Sequence, residues 1–458
     1  MLPTDSVFLS AETRQTPMHV GGLQLFRPPA DFPGTREMFS QLIAHDDVAP
    51  LFARRPVRSL ATAGQWAWQR DRQFDIEYHV RHNSLPKPGR VLELLALCSR
   101  LHGTMLDRRR PLWEFHLIEG LADGRFAIYF KIHHALVDGI SAQRLLQSVL
   151  TPDPAERDVP APWAQRPAGP PARKPAPPGR GAAGFDLASA RSALALAAEA
   201  AALPGVAVGT LKRALQDGGG PVSFGAPHTM LNVPISGSRR FAAQSWPLER
   251  MRRITAGAGV TVNDVVLAMC SGALRRYLSQ LSALPAAPLV SMVPVALRAK
   301  RNRDAGNAVG AVMCNLATDL EDPADRLRTI HRSMTQGKQA LVEMSPMQIV
   351  AMTGLGMSPL LLQGISGYHQ LFRPPFNVII SNVPGPRRPL YLNGAELDGL
   401  YPLSIPYHGQ ALNITCTSYH DELAFGLTGC RRTVPHLQRL LNFLDEELTA
   451  LESAVGLS

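Results

Sequence analysis

A mixed α/β fold in two lobes is the architecture this sequence predicts, and three observations predict it. The chain has 458 residues, more than one compact core usually takes. A proline-dense run, "TPDPAERDVPAPWAQRPAGPPARKPAPPGRGAAG" at 151–184, separates two stretches of ordinary globular composition. On both sides of it, short alternating apolar runs are interspersed with segments of helical leucine spacing. No G-x-G-x-x-G follows a strand, so a dinucleotide-binding fold is unsupported.

Taken in order, the N-terminal lobe covers about 1–150. "LELLALCSRL" (92–101) spaces its leucines as a helix. "LWEFHLIEG" and "RFAIYFKI" read as antiparallel strands joined at Asp123-Gly124. "ISAQRLLQSVL" follows as a helix with Ile140, Leu145, Leu146 and Val149 on one stripe. Residues 151–215 form a linker whose prolines forbid regular structure, continuing into an Ala-rich helical stretch from Asp186 to Leu203. The C-terminal lobe, 216–458, carries a helix beginning at Asn263 or Asp264 and strands at "LVSMVPV", "FNVIISN" and "ALNITCTSY". The last of these pairs through His420-Asp421 with "ELAFGLT".

Composition narrows the function classes. With 45% hydrophobic and 18% charged residues the chain is globular, not disordered. Five scattered cysteines without a C-x-x-C pair suggest neither a disulfide framework nor a zinc site, and fit reduced thiols in the cytoplasm. The N-terminus lacks the basic-then-apolar layout of a signal peptide. A net charge of +10 calls for an anionic partner: nucleic acid, anionic lipid or a polyphosphorylated small molecule. The arginines form no block interleaved with aromatics, which makes nucleic acid the weakest of the three and is read as no nucleic-acid partner. The uncharged run Met344–Gln370 is broken by Pro346, Gly354, Gly356, Pro359 and Gly364, too often for a membrane span. It reads either as two buried helices or as a pliable, methionine-rich wall touching lipid.

The densest chemistry is "YFKIHHALVDGIS", 129–141. Alternation along the entering strand puts Phe126, Ile128, Phe130 and Ile132 on one face, and His134 continues that apolar row. Ala127, Tyr129, Lys131 and His133 face the other way. An imidazole at a strand end beside apolar space suits a general base. No H-E-x-x-H or other ligand cluster suggests a metal. His133 and Asp138 also satisfy the H-x4-D spacing of glycerolipid acyltransferases, and spacing alone leaves that open.

Four motifs in order then resemble one family, the bacterial wax ester synthase/acyl-CoA:diacylglycerol acyltransferases. They are H-H-x-x-x-D-G at His133, His134, Asp138 and Gly139; Pro111-Leu112-Trp113; Asn263-Asp264; and "SNVPGP" at 381–386. "MHVGGLQLF", "PISGSRRFAAQSW" and "SIPYHGQALNIT" are also typical, so the resemblance runs from about residue 4 to 450. It favours this family over the H-x4-D enzymes. It implies two chloramphenicol-acetyltransferase-like lobes with a tunnel between them, acyl-CoA entering from one side and a long-chain alcohol or diacylglycerol from the other.

The resemblance makes His134 the general base, His133 a supporting residue and Asp138 a partner in an internal ion pair, with Arg298 as the other member. Gly139 is expected to relieve crowding where the helix starts. Asn263 and Asp264 are expected at a helix N-terminus, Asp264 to cap it or position substrate and Asn263 to face a developing oxyanion or position substrate. Ser381, Asn382, Pro384 and Gly385 are expected to shape the tunnel wall, Pro384 and Gly385 at the centre of a turn. The chemistry needs no cofactor, acyl-CoA being a substrate. A thioester is already activated, a thiol of pKa about 8.5 leaves readily, and no G-x-S-x-G elbow supplies a nucleophilic serine. Rival readings are a condensation-type transferase using another alcohol or amine, and a basic protein coating lipid inclusions. The expected location is cytoplasmic, peripheral on anionic membrane or lipid inclusions.

Overall fold

The computed structural model describes residues 1, 3–44, 47–59, 62, 64–165, 226–296, 309–345, 348–349 and 373–457. The expected helix at Asp186–Leu203, Arg298 and most of Met344–Gln370 lie outside the described residues.

Two six-stranded mixed sheets carry the fold. The first contains β1 (His19–Arg27), β4 (Val80–Ser84), β5 (Trp113–Glu119), β6 (Phe126–His133), β11 (Tyr391–Leu392) and β12 (Ala395–Leu403), in the order β11-β12-β1-β6-β5-β4. The second contains β7 (Arg239–Pro247), β8 (Val290–Ala296), β9 (Val309–Asn315), β10 (Val378–Val383), β13 (Leu412–Tyr419) and β14 (Glu422–Cys430), in the order β7-β14-β13-β10-β8-β9. A separate two-stranded ribbon pairs β2 (Arg54–Arg58) with β3 (Trp66–Arg70).

The helices start where the sequence offers caps. Asp138 caps α5 (Gly139–Gln147), accepting from Ser141 N at 2.6 Å. Asp322 caps α8 (Pro323–Val342), which has proline in its first turn. Between these in chain order are α6 (Leu248–Ala258) and α7 (Val262–Gln280). The N-terminal half also has α1 (Pro3–Ala11), α2 (Thr35–Ala44), the short α3 (Ile76–His79) and α4 (Val91–Gly103), and α9 (Arg439–Ala454) closes the chain. The β5–β6 hairpin turns at Gly124, whose φ of 79° suits a residue without Cβ. Among the described residues no single helix is long and apolar enough to cross a membrane.

The chain does not keep its two halves apart. β12 returns from the far side of the linker and pairs antiparallel with β1, Leu23 opposite Tyr401, and β11 extends that edge. Residues 391–403, expected in the C-terminal lobe, therefore belong to the first sheet. Side chains from Leu23, Leu25, Tyr129, Phe241 and Leu403 form one apolar cluster across the junction. Phe241 N donates to Ser99 Oγ at 2.8 Å and Arg239 Nη2 to the Gln15 carbonyl at 2.7 Å, tying β7 to the N-terminal half. The first part of the proline-rich segment is irregular, as expected, but anchored: Trp163 is fully buried against Trp113 and Phe115.

Candidate active site

Strand β6 lies between β1 and β5 and delivers the histidine pair to the end of the first sheet. His133 stands opposite His19 and donates its backbone N–H to the Leu112 carbonyl at 3.0 Å. His134, just past the strand, donates its own to the Met18 carbonyl at 2.9 Å. Neighbouring strands thus hold the two residues from opposite sides. The Pro111-Leu112-Trp113 motif contributes this backbone acceptor as well as packing, with Trp113 stacked on His79 at 4.5 Å.

The rings go to opposite faces. Phe126, Ile128, Phe130 and Ile132 enter the apolar core of the first sheet. His134 lies against Phe8 of α1, a residue packed on that core, with ring centroids 4.1 Å apart and planes 25° from parallel. Among the described residues its buried Nδ1 finds no hydrogen-bond partner. Burial pushes the imidazole pKa down to about 4, His133 adding to the effect and Asp138 opposing it. The ring is therefore neutral at pH 7.

The opposite face is buried too, and it is polar. His133 is fully buried; its Nδ1 accepts from Ala135 N at 3.0 Å, so its proton resides on Nε2, which faces Glu12 Oε1 at 3.5 Å. Glu12 also accepts from Met18 N at 2.9 Å and pairs with Arg108 at 3.0 Å. Burial works to raise the Glu12 pKa, but His133, Met18 N and Arg108 together hold it below the ordinary carboxylate value. Two residues back along the strand, Lys131 Nζ meets Glu114 at 2.9 Å and donates to the Leu101 and Thr104 carbonyls at 3.0 Å. His116 Nε2 donates to the same carboxylate at 3.2 Å. Burial would raise the Glu114 pKa, but these donors bring it to about 2.

Several expected roles are revised. Asp138 is exposed and serves as the helix cap, not as one half of an enclosed ion pair among the described residues. Its proposed partner Arg298 lies outside them. Among the described residues a Cβ on Gly139 would meet nothing within 4 Å, so crowding does not require glycine there. Helix α7 starts earlier than expected, capped by Thr261. Asp264 sits at the third helical position and completes a capping box, accepting from Thr261 N at 2.9 Å and from His331 Nδ1 at 2.8 Å. Asn263 is half-buried on the same turn, and no hydrogen bond or ion pair among the described residues links it to the histidine segment.

"SNVPGP" is the end of β10 and an irregular segment, with no turn at Pro384-Gly385. Ser381 and Asn382 are half-buried and pair with Thr415 and Cys416 of β13. Gly385 is needed for a different reason: a Cβ there would stand 1.9 Å from the Ser418 carbonyl oxygen. The motif does meet the histidine segment indirectly. Gln143 of α5 donates to Thr417 Oγ1 at 2.7 Å, one strand over from β10, so the helix capped by Asp138 bridges to the second sheet.

Sequence reasoning missed Phe8, Glu12, Arg108 and the Lys131–Glu114 pair. Only Lys131, an isolated charge inside an otherwise apolar strand, gave a local signal.

Residues 1–266 match the wax ester synthase/diacylglycerol acyltransferase catalytic domain, and residues 305–452 match the C-terminal domain of the same family. The chain belongs to this family. It is 50% identical over 463 residues to a Mycobacterium tuberculosis protein provisionally named a diacylglycerol O-acyltransferase, covering 100% of this chain and 99% of the relative. A Mycobacterium bovis protein with a similar provisional name is likewise 50% identical over 463 residues, with the same coverage. The solved structure of the wax ester synthase/diacylglycerol acyltransferase from Marinobacter aquaeolei VT8 superposes with a TM-score of 0.79 at 43% identity, over 99% of this chain and 98% of that one. The first condensation domain of the CDA synthetase matches with a TM-score of 0.59 at 17% identity, over 100% and 96%, a likeness of fold alone. The family membership makes the protein an acyl-CoA-dependent acyltransferase, and the expected two-lobed mixed α/β architecture holds.

Proposed function

We propose that the protein moves a fatty acyl group from acyl-CoA directly to the hydroxyl of diacylglycerol or a long-chain alcohol, with His134 as general base. The observation that carries this reading is the setting of the His134 ring: stacked on Phe8, with no hydrogen-bond partner at Nδ1 among the described residues, and with its pKa pushed down by burial. The acceptor hydroxyl gives its proton to the imidazole as its oxygen attacks the thioester carbon. The C–S bond breaks, the thiolate leaves, and the imidazolium returns the proton to it. One base suffices, because the thioester is already activated.

His133 supports this base through the turn it organises, and Asp138 by capping the helix that follows. Ser381, Asn382 and Gly385 fit a wall of the acyl path, since α5 reaches the neighbouring strand. The provisional names of the mycobacterial relatives favour diacylglycerol as acceptor, and the name of the Marinobacter protein adds wax ester synthesis. A lipid acceptor places the enzyme at membranes or lipid inclusions on the cytoplasmic side. The test incubates purified protein with palmitoyl-CoA and either dioleoylglycerol or hexadecanol. Free thiol and ester should appear together, only with acceptor present. Radioactive acyl label surviving denaturation on the protein would overturn direct transfer.

A further inference from the structure

The β2–β3 ribbon concentrates the chain's excess charge. Residues 54–72 contain five arginines and one aspartate, and residues 107–110 three arginines and one aspartate. The two segments touch, Arg55 Nη1 donating to the Arg109 carbonyl at 3.4 Å. Among the described residues Arg54, Arg55, Arg58, Arg70, Arg72, Arg109 and Arg110 make no ion pair with a carboxylate, so seven uncompensated arginines stand together on this ribbon and the loop beside it. Arg58, Arg70, Arg72 and Arg109 are exposed. Three of them lie over aromatic rings: Arg54 over Trp68 at 4.9 Å, Arg58 over Trp66 at 5.8 Å and Arg110 over Tyr78 at 3.9 Å. Both tryptophans are only half-buried.

This ribbon is joined to the helix that covers the base. Trp66 Nε1 donates to Ser10 Oγ at 3.2 Å, and Arg108 Nη2 to the Leu9 carbonyl at 2.8 Å, both on α1. The same helix stacks Phe8 on His134 and exposes Val7, 53% accessible. Unpaired arginines, half-exposed tryptophans and an exposed aliphatic residue together combine the charge and apolar contacts that a peripheral anchor needs. Arginines spread along a ribbon of about 15 Å suit an extended anionic surface better than one small polyanion. None of them lines the cavity beneath α5 or the crevice beside α4.

We infer that the β2–β3 ribbon, the Arg108–Arg110 loop and the outer face of α1 form the docking surface for an anionic phospholipid layer. This rests on the lipid-acceptor reading above and names where an anionic lipid surface is met. The test mixes full-length protein, without substrates, with vesicles of phosphatidylglycerol and phosphatidylcholine, or of phosphatidylcholine alone. Wild type and the combined variant Arg58→Gln, Arg70→Gln, Arg72→Gln, Arg109→Gln are compared at low salt, with the four arginine-to-lysine changes as a charge-preserving control. One basic residue near an anionic surface is worth about a fivefold factor in partitioning, so the glutamine variant should bind at least about tenfold more weakly. The lysine variant should bind like wild type, and melting temperatures should agree. With a detergent-dispersed short alcohol as acceptor, the KM for palmitoyl-CoA should be the same in all three proteins. Equal vesicle binding by the glutamine variant overturns the inference. So does a raised KM for palmitoyl-CoA, which would assign the arginines to CoA phosphates. Because docking is read without substrate, a protein that docks but turns nothing over contradicts the acyl-transfer reading and supports the surface.

Discussion

The surroundings of His133 and of His134 differ as much as two sites in one protein can, although the residues are adjacent. Around His133 the neighbours are polar: Ala135 N–H donates to Nδ1, the Glu12 carboxylate faces Nε2 at 3.5 Å, and Arg108 stands behind Glu12. Around His134 there is a phenyl ring, and its Nδ1 has no partner among the described residues. The difference arises from strand geometry, because successive side chains at the end of β6 go to opposite faces. It teaches that burial alone does not mark the working residue. A histidine set between a backbone donor and a carboxylate holds structure, and one set against a phenyl ring is left to take a proton.

The largest expected effect breaks this comparison outright. His134→Ala should lower kcat by about 10²–10⁴-fold, the usual loss for a general base, with acyl-CoA affinity and melting temperature nearly unchanged. His133→Ala should instead act on the fold, since losing its acceptor strands the buried Ala135 N–H at a cost of about 1–3 kcal/mol. Steady-state kinetics and thermal melting of the two variants separate the cases. If His133→Ala is dead and His134→Ala is active, the assignment of faces to roles is wrong.

Acid should strip stability through the neutral histidines. Burial lowers the pKa of His134 and His79 to about 4 and that of His102 to about 3. The unfolded chain binds these protons below about pH 6.5 while the folded chain does not, so stability falls as pH drops from there towards 4. By pH 5 the loss is about 2 kcal/mol per histidine, read as a falling melting temperature. A melting temperature flat from pH 7 to 5 would contradict the burial of these rings.

Glu12→Gln sharpens the comparison on the His133 side. It keeps an acceptor for Met18 N–H but removes the charge facing His133 and Arg108. Stability should fall by about 1–3 kcal/mol, with kcat between those of wild type and His134→Ala. Unchanged stability and kcat would show that the Glu12–Arg108 pair does not support the turn. The smallest effect belongs to the Asn263-Asp264 motif. Thr261→Ala should cost about 1 kcal/mol by removing the cap, with little change in kcat. A large kcat loss at constant stability would return that helix end to the chemistry.

Much of the fold was legible because its signals are local. The β5–β6 hairpin, helix α4 and the β13–β14 pair follow from alternation, leucine spacing and turn residues a few positions apart. The pairing of β12 with β1 sets Leu23 opposite Tyr401 across nearly the whole chain, and nothing in "AELDGLYPL" names its partner. The faces of His133 and His134 followed from period-2 alternation. Phe8 and Glu12 did not, because α1 reaches the histidines only through tertiary packing. The error at Gly139 has the same origin, since how much room a turn has depends on neighbours distant in sequence.

The central claim is that His134 enters the reaction as a desolvated, neutral base, and the pH dependence of kcat/KM for palmitoyl-CoA tests it most directly. That quantity reports the essential base of the free enzyme. The ring's pKa of about 4 predicts an acid limb well below pH 6, measured over the interval in which the protein stays folded. A limb centred near pH 6.5, the value of a solvated imidazole, would contradict the account.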